Sequence, residues 1–146
     1  MSVRDIFHEA VKVALQNDGW TITHDPLTID LVDGQMARLD EYRQMIRQVL
    51  TRYAQIQPAY GEIEREVIFD AEHDRYQVVN TGWENRRRVY SCLIHVDIKG
   101  DKIWIQYDGT EVGIANELVE LGIPKQDILL AYQSPYMRQF TEFAVN

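Results

Sequence analysis

The four residues "KGDK" at 99–102 constrain this chain more than any other stretch. They join two segments, "RRVYSCLIHVDI" from Arg87 and "DKIWIQYD" from Asp101, in which apolar and polar side chains alternate. Gly100-Asp101 is a two-residue hairpin loop by composition, because glycine and aspartate tolerate the positive φ that such turns require. That loop fixes a register in which Ile98 faces Ile103, Val96 faces Ile105 and Ile94 faces Tyr107. One face of the hairpin is then solidly apolar. The other carries Leu93, His95, Asp97, Trp104, Gln106 and Asp108, a mixture that suits water or a partner better than a core.

Two further strand-like segments precede the hairpin, "EREVIFD" from Glu64 and "RYQVVNTGW" from Arg75, joined by short polar turns. Before them a helix starting near Met36 places Leu39, Tyr42, Ile46, Val49, Leu50 and Tyr53 on one stripe, wide enough to cover a sheet face. After the hairpin, "GTEVGIANELVELG" reads as a turn and a short helix with Ile114, Leu118 and Leu121 on one side. "DILLAYQ" reads as a last strand, and Phe140 and Phe143 are available to anchor the tail. The pattern predicts an α+β fold: a long helix packed on an antiparallel sheet of four to five strands, with a further C-terminal helix.

The first 35 residues are organised differently. Phe7, Ala10, Val11, Ala14 and Leu15 have helical spacing, "NDG" at 17–19 stops that helix, "WTITH" alternates as a short strand, and Asp25-Pro26 breaks it. This is a helix and a strand with no sheet to join. A boundary at Met36 divides the chain into an appendage, residues 1–35, and a domain, residues 36–146.

Net charge is −8. Two basic residues stand against six acidic ones before Met36, and 13 against 17 after it, so each part carries −4. Contacts to phosphates dominate nucleic-acid affinity, so neither part suits autonomous duplex binding. No apolar run reaches the ~20 residues of a membrane span, which predicts a cytoplasmic location. Cys92 is the only cysteine and reads as an inert core thiol.

Recognisable chemistry is sparse. "HEAVK" places Lys12 where a zinc-binding helix needs its second histidine, and His8, His24, His73 and His95 fall on separate elements, so no metal or cofactor is expected. Asp108 in "DGTEVG" reads as a turn residue. "HVDIK" puts Asp97 and Lys99 on one side of a strand, as in the acidic-x-Lys half of a metal-dependent nuclease core, but no further strand carboxylate joins them and a hairpin edge is the better reading. No catalytic residue is expected. Arg86, Arg87 and Arg88 form the one basic run, and alternation along a strand keeps them from meeting one ligand together.

Residues 36–146 resemble the XisI family, associated with controlled excision of the fdxN element in filamentous cyanobacteria. The resemblance rests on "LDEYRQMIRQVLTRYA", on "RRVYSCLIH…KIWIQYDGTEVGIANEL" and on "RQFTEFAV". "DIFHEAVKVALQNDGWTITHDPLTI" resembles the beginning of the companion XisH family, which makes Met36 look like the first residue of an XisI protein. XisH proteins resemble restriction-endonuclease-like nucleases, so Glu9 would correspond to a metal-associated helix glutamate. The strand aspartate and Glu-x-Lys strand of that site are absent here, and one carboxylate cannot build a Mg²⁺ site.

The resemblance implies a non-catalytic accessory factor in site-specific DNA excision, with an XisH-like protein and a second copy of itself as partners. The interface candidates are Trp83, Trp104, His95, Asp97, Gln106 and Asp108. Trp83 reads equally as core or as surface anchor, while Trp104 falls in a solvent-facing slot. The alternative is a DNA-binding or DNA-processing subunit of an XisH/XisI complex, using Arg86, Arg87, Arg88, Lys99 and Arg138.

Overall fold

The computed structural model describes the backbone of residues 26–146 and the side chains from residue 34 onward. The expected N-terminal helix and strand, with Glu9, His8 and His24, lie outside the described residues. The chain divides into two units, Met1–Leu39 and Asp40–Asn146.

In order, the elements are α1 (Pro26–Gln55), β1 (Glu62–Asp70), β2 (Arg75–Glu84), β3 (Arg87–Lys99), β4 (Lys102–Asp108), α2 (Ile114–Glu120), a 3-10 turn (Lys125–Asp127), β5 (Ile128–Leu130) and α3 (Pro135–Arg138). α1 is the first departure from the sequence expectation. It begins at Pro26 and runs through Met36 without a break. Proline is well suited to the first helical position, since its φ is already helical and the N–H it lacks would have had no partner.

The sheet order is β1-β2-β3-β4-β5. β1 to β4 form an antiparallel meander, whereas β5 pairs with β4 in parallel, so the sheet is mixed rather than wholly antiparallel. The cause is connectivity: β4 returns to β5 through α2, and a crossover of this kind delivers the chain in the same direction. Ala144 then bridges to Leu129, its N–H donating to the Ile128 carbonyl at 2.8 Å, so the tail extends the β5 side of the sheet. The tail's anchor is buried Ala144, with Phe143 half-buried; Phe140 is exposed, contrary to its expected role.

The core lies on one face of the sheet. Tyr42, Ile46, Val49 and Leu50 of α1 are buried with Tyr76 and Val78 of β2, Ile94, Val96 and Ile98 of β3, Ile103 and Ile105 of β4, and Ile114 and Leu118 of α2. Spacings of i, i+4, i+7 and i+8 put the α1 residues on a single stripe, and burying each large aliphatic side chain contributes roughly 1.5–3 kcal/mol. Polar clamps fix the orientation. Arg43 Nε and Nη2 donate to the two carboxylate oxygens of Asp74 at 2.8 and 3.0 Å, and Tyr76 OH donates to the same carboxylate at 2.9 Å. At the other end of the stripe Tyr53 OH donates to Glu117 at 2.7 Å, and Arg52 pairs with the same glutamate. The Tyr42 hydroxyl donates to Asp127.

Two turns use residues that accept positive φ. Asn85 (φ 56°) opens the two-residue β2–β3 turn, and Gly100 (φ 62°) opens the β3–β4 turn expected from "KGDK". Gly82 answers a different need. An added Cβ there would lie 2.1 Å from the Glu62 carbonyl oxygen on β1.

The Arg43 guanidinium beside Asp74 holds that carboxyl below its ordinary value, and burial with the Asp74 bond pushes the Tyr76 phenol up to about 12. A depressed folded-state pKa stabilises the fold above the unfolded value, near 3.8, and that contribution is lost as pH falls through the folded one. Below about pH 4 the parent protein should therefore lose stability faster than Asp74→Asn, while at pH 7 the variant should be less stable by about 2 kcal/mol. Urea melts between pH 2.5 and 7 check both; parallel pH profiles would remove Asp74 from this role.

Candidate interaction surface

Opposite the core, the sheet presents an open face. In an antiparallel pair, directly opposite residues share a face, so the register assigns Gln77, Val79 and Trp83 of β2 to it with His95, Cys92 and Arg88 of β3. Trp104 of β4 joins them opposite Asp97. Trp83 is 50% exposed and Tyr90, opposite Thr81, is 74% exposed. Ile68 of β1, opposite Gln77, and Tyr107 of β4 add further exposed apolar area.

The expected hairpin register holds at Ile98–Ile103 and Val96–Ile105 and then fails. Gln106 is bulged out, so that Tyr107 lies opposite His95 and Asp108 lies opposite Ile94. Tyr107 thus belongs to the open face, where the uninterrupted register had placed Asp108. The bulge turns Asp108 toward the start of α2. Its carboxylate accepts from Ile114 N at 2.8 Å, Thr110 N at 2.9 Å and Thr110 Oγ1 at 2.6 Å. That capping role satisfies backbone donors that the helix itself cannot, and it agrees with reading "DGTEVG" as a turn.

Asp97 is only 3% exposed, a correction to its expected place among solvent-facing groups. Its Oδ1 accepts from His95 Nε2 at 2.9 Å and its Oδ2 from Gln106 Nε2 at 3.1 Å, while Arg75 Nε lies 3.6 Å away. Gln77 Nε2 meets His95 Nδ1 at 3.3 Å. A carboxylate only accepts, so His95 carries its proton on Nε2 and takes the Gln77 amide on Nδ1. Both ring nitrogens are engaged. The arrangement suits a histidine that stiffens three strands better than one that abstracts a proton from substrate. The strand alternation places Asp97 on the correct face, but sequence alone did not reveal that Arg75, His95 and Gln106 converge on it.

Trp104 is half-buried. Lys99 Nζ lies 5.2 Å from its ring centre and Arg138 Cζ lies 5.9 Å away. Arg138 also donates from Nε to the Gln133 carbonyl at 3.0 Å, which holds the tail over the ring. Trp83 has an exposed ring, with Arg88 Cζ 5.5 Å from its centre. Of the two tryptophans, Trp83 is the one offered to a partner.

The five basic candidates do not form one patch. Arg87 pairs with Glu84, and Arg88 is stacked on Trp83 with Arg86 exposed at the same turn. Lys99 and Arg138 sit beside Trp104 near the opposite end of β3. Thirteen residues of strand at ~3.3 Å each separate the two groups by roughly 40 Å. Among the described residues no three His, Cys, Asp or Glu side chains come together as a metal site. Cys92 is half-buried, donates to the Ile94 carbonyl at 3.2 Å, and has its thiol pKa raised by burial, all of which make it unreactive. No helix among the described residues is long and apolar enough to cross a membrane.

Trp104→Ala should cost roughly 2–3 kcal/mol of folding stability, because it empties a half-buried site and strips two cations of their aromatic partner. Trp83→Ala should change stability by less than about 1 kcal/mol. Chemical denaturation of both variants checks the contrast, and equal losses would mean that Trp83 belongs to the core.

Comparison with known proteins bears on the same residues. The XisI protein family matches residues 36–145 and the XisH protein family matches residues 1–48. A crystal structure of a XisI-like protein from Anabaena variabilis is 41% identical with a TM-score of 0.70, covering 74% of this chain and 99% of that one. The crystal structure of fdxN element excision controlling factor XisI from Anabaena variabilis is 31% identical with a TM-score of 0.66, covering 75% of this chain and 99% of that one. No curated protein matches.

Proposed function

Since this chain belongs to the XisI protein family, we propose that it is a non-catalytic factor controlling site-specific DNA excision, and that it works by binding an XisH-like protein through the open face of its sheet. The observation that carries this reading is the exposure of Trp83 and Tyr90 on a face with no layer over them among the described residues. Aromatic residues with a flanking arginine supply much of the energy of protein interfaces, and Arg88 lies beside Trp83. The match of residues 1–48 to the XisH family adds support from the same chain. Domain assignment follows the same division: residues 1–35 are an XisH-like fragment and residues 36–146 the XisI-like domain.

In this reading Trp83, Tyr90 and Tyr107 make the contact, while the Asp97 network keeps β2, β3 and β4 rigid beneath it. DNA is reached through the complex rather than by the chain alone. The separation of its cations and its net charge of −8 support that division of labour.

The full chain should bind a separately produced XisH-family protein, and Trp83→Ala combined with Tyr90→Ala should weaken binding by about 30-fold, or ~2 kcal/mol. Unchanged affinity would exclude this face. Incubation with plasmid DNA and Mg²⁺ or Mn²⁺ should leave the plasmid intact; cleavage abolished by Asp97→Ala would replace the accessory reading with a nuclease.

A further inference from the structure

The two edges of the sheet are finished differently. On the β5 side the chain's own tail adds a bridge at Ala144. On the other side β1 has β2 as its only strand partner among the described residues, and none of its nine residues is buried. Val67 and Ile68 point to opposite faces yet are 39% and 48% exposed. Exposure on both faces at once means that what β1 lacks is a lateral neighbour, since a layer packed over one face would cover only one of them. Such an edge offers backbone donors and acceptors to an added strand.

The side chains of β1 specify which strand. On the open face lie Glu62, Glu64 and Glu66, in register with Trp83, Thr81 and Val79. On the core face lie Ile63 and Val67, the latter opposite buried Val78, with Ile56 half-exposed nearby, where its carbonyl accepts from Arg65 Nη1 at 2.9 Å. A strand laid along this edge meets carboxylates with every second side chain and apolar surface with the others. A cleft of about 430 Å³ at Glu62, Ile63 and Glu64 leaves room for long side chains.

A second copy of this chain is a poor occupant. Antiparallel pairing of β1 with its own two-fold mate keeps even-numbered residues opposite even-numbered ones. Extensive overlap then sets Glu64 against Glu66, Glu64 against itself or Glu66 against itself, and like charges directly opposite are destabilising. We propose that the β1 edge is a docking site for an extended segment of a different protein in which Lys or Arg alternates with apolar residues. This contact uses the edge of the sheet and does not depend on the open-face reading.

The probes are three acetylated nine-residue peptides: alternating Lys and Val, alternating Glu and Val, and one of the first composition with its residues in pairs, KKVVKKVVK. With the full chain, the alternating basic peptide should bind at least tenfold more tightly than either other peptide, and amide exchange should slow selectively within β1. Glu64→Lys with Glu66→Lys, shown to be folded by its thermal melt, should transfer the preference to the acidic peptide. If that double variant does not fold, Glu64→Gln should at least halve the selectivity. Equal binding of the alternating and paired basic peptides, or a preference unmoved by the variants, would reduce the effect to general attraction by an acidic protein and overturn the proposal. Binding of none of the peptides would leave the glutamates as guards against edge pairing. Protection of β1 by self-association without peptide would make a second copy the occupant.

Discussion

The carboxylate of Asp74 ties together the parts that must agree for this fold to exist. It sits in the tight connection between β1 and β2 with a φ of 54°, a conformation that aspartate tolerates better than most residues. From there it receives Arg43 of the long helix through two bonds and Tyr76 of β2 through one, and its main-chain carbonyl accepts from Ile98 N at 3.0 Å. Helix, first hairpin and third strand are thereby registered against one another at a single point. Apolar contacts supply most of the free energy of burial, but they are non-directional. Directional bonds to one residue select which stripe of α1 meets which end of the sheet.

Much of this was legible from the sequence because alternation and turn chemistry agreed. "KGDK" has its expected two-residue loop, Ile98 and Val96 meet Ile103 and Ile105, and β1 to β4 appear where their β-branched and aromatic content places them. Departures arose where a distant partner decided the outcome. Pro26 both ends an extended reading and begins a helix, and local composition cannot choose between the two. The parallel placement of β5 depends on the path through α2, which no pattern within "DILLAYQ" reveals. Asp97 looks like an exposed strand residue until Arg75, His95 and Gln106 are brought beside it from three strands.

The candidate surface was legible in outline only. Trp83 and Trp104 have the same residue type and similar strand contexts, yet the tail, through Arg138, reaches one and not the other. Tyr90 and Tyr107 gave little signal of their own. Tyrosine is common on both sides of half-buried strands, and its assignment requires the pairing register. The sheet is consequently two-sided in function as well as in composition. One face is consumed by α1 and α2, and the other keeps a polar lattice around Asp97 from which exposed aromatic rings project.

The bulge at Gln106 also changes how this strand tolerates differences in length. Along a regular strand, orientation is a parity: removing one residue inverts every side chain beyond the cut. In β4 that inversion has already been introduced by the extra residue and undone by the pairing of Tyr107 with His95. A chain lacking Gln106 would keep Ile105 inward, Tyr107 outward and Asp108 aimed at α2, with only the local kink and the amide on Asp97 removed. The same deletion two residues earlier, at Trp104, would shift Ile103 out of phase with everything after it. Length variation among related sequences should therefore collect at this position, where a shift of reading frame in the pleat has no consequence for which residues face the core.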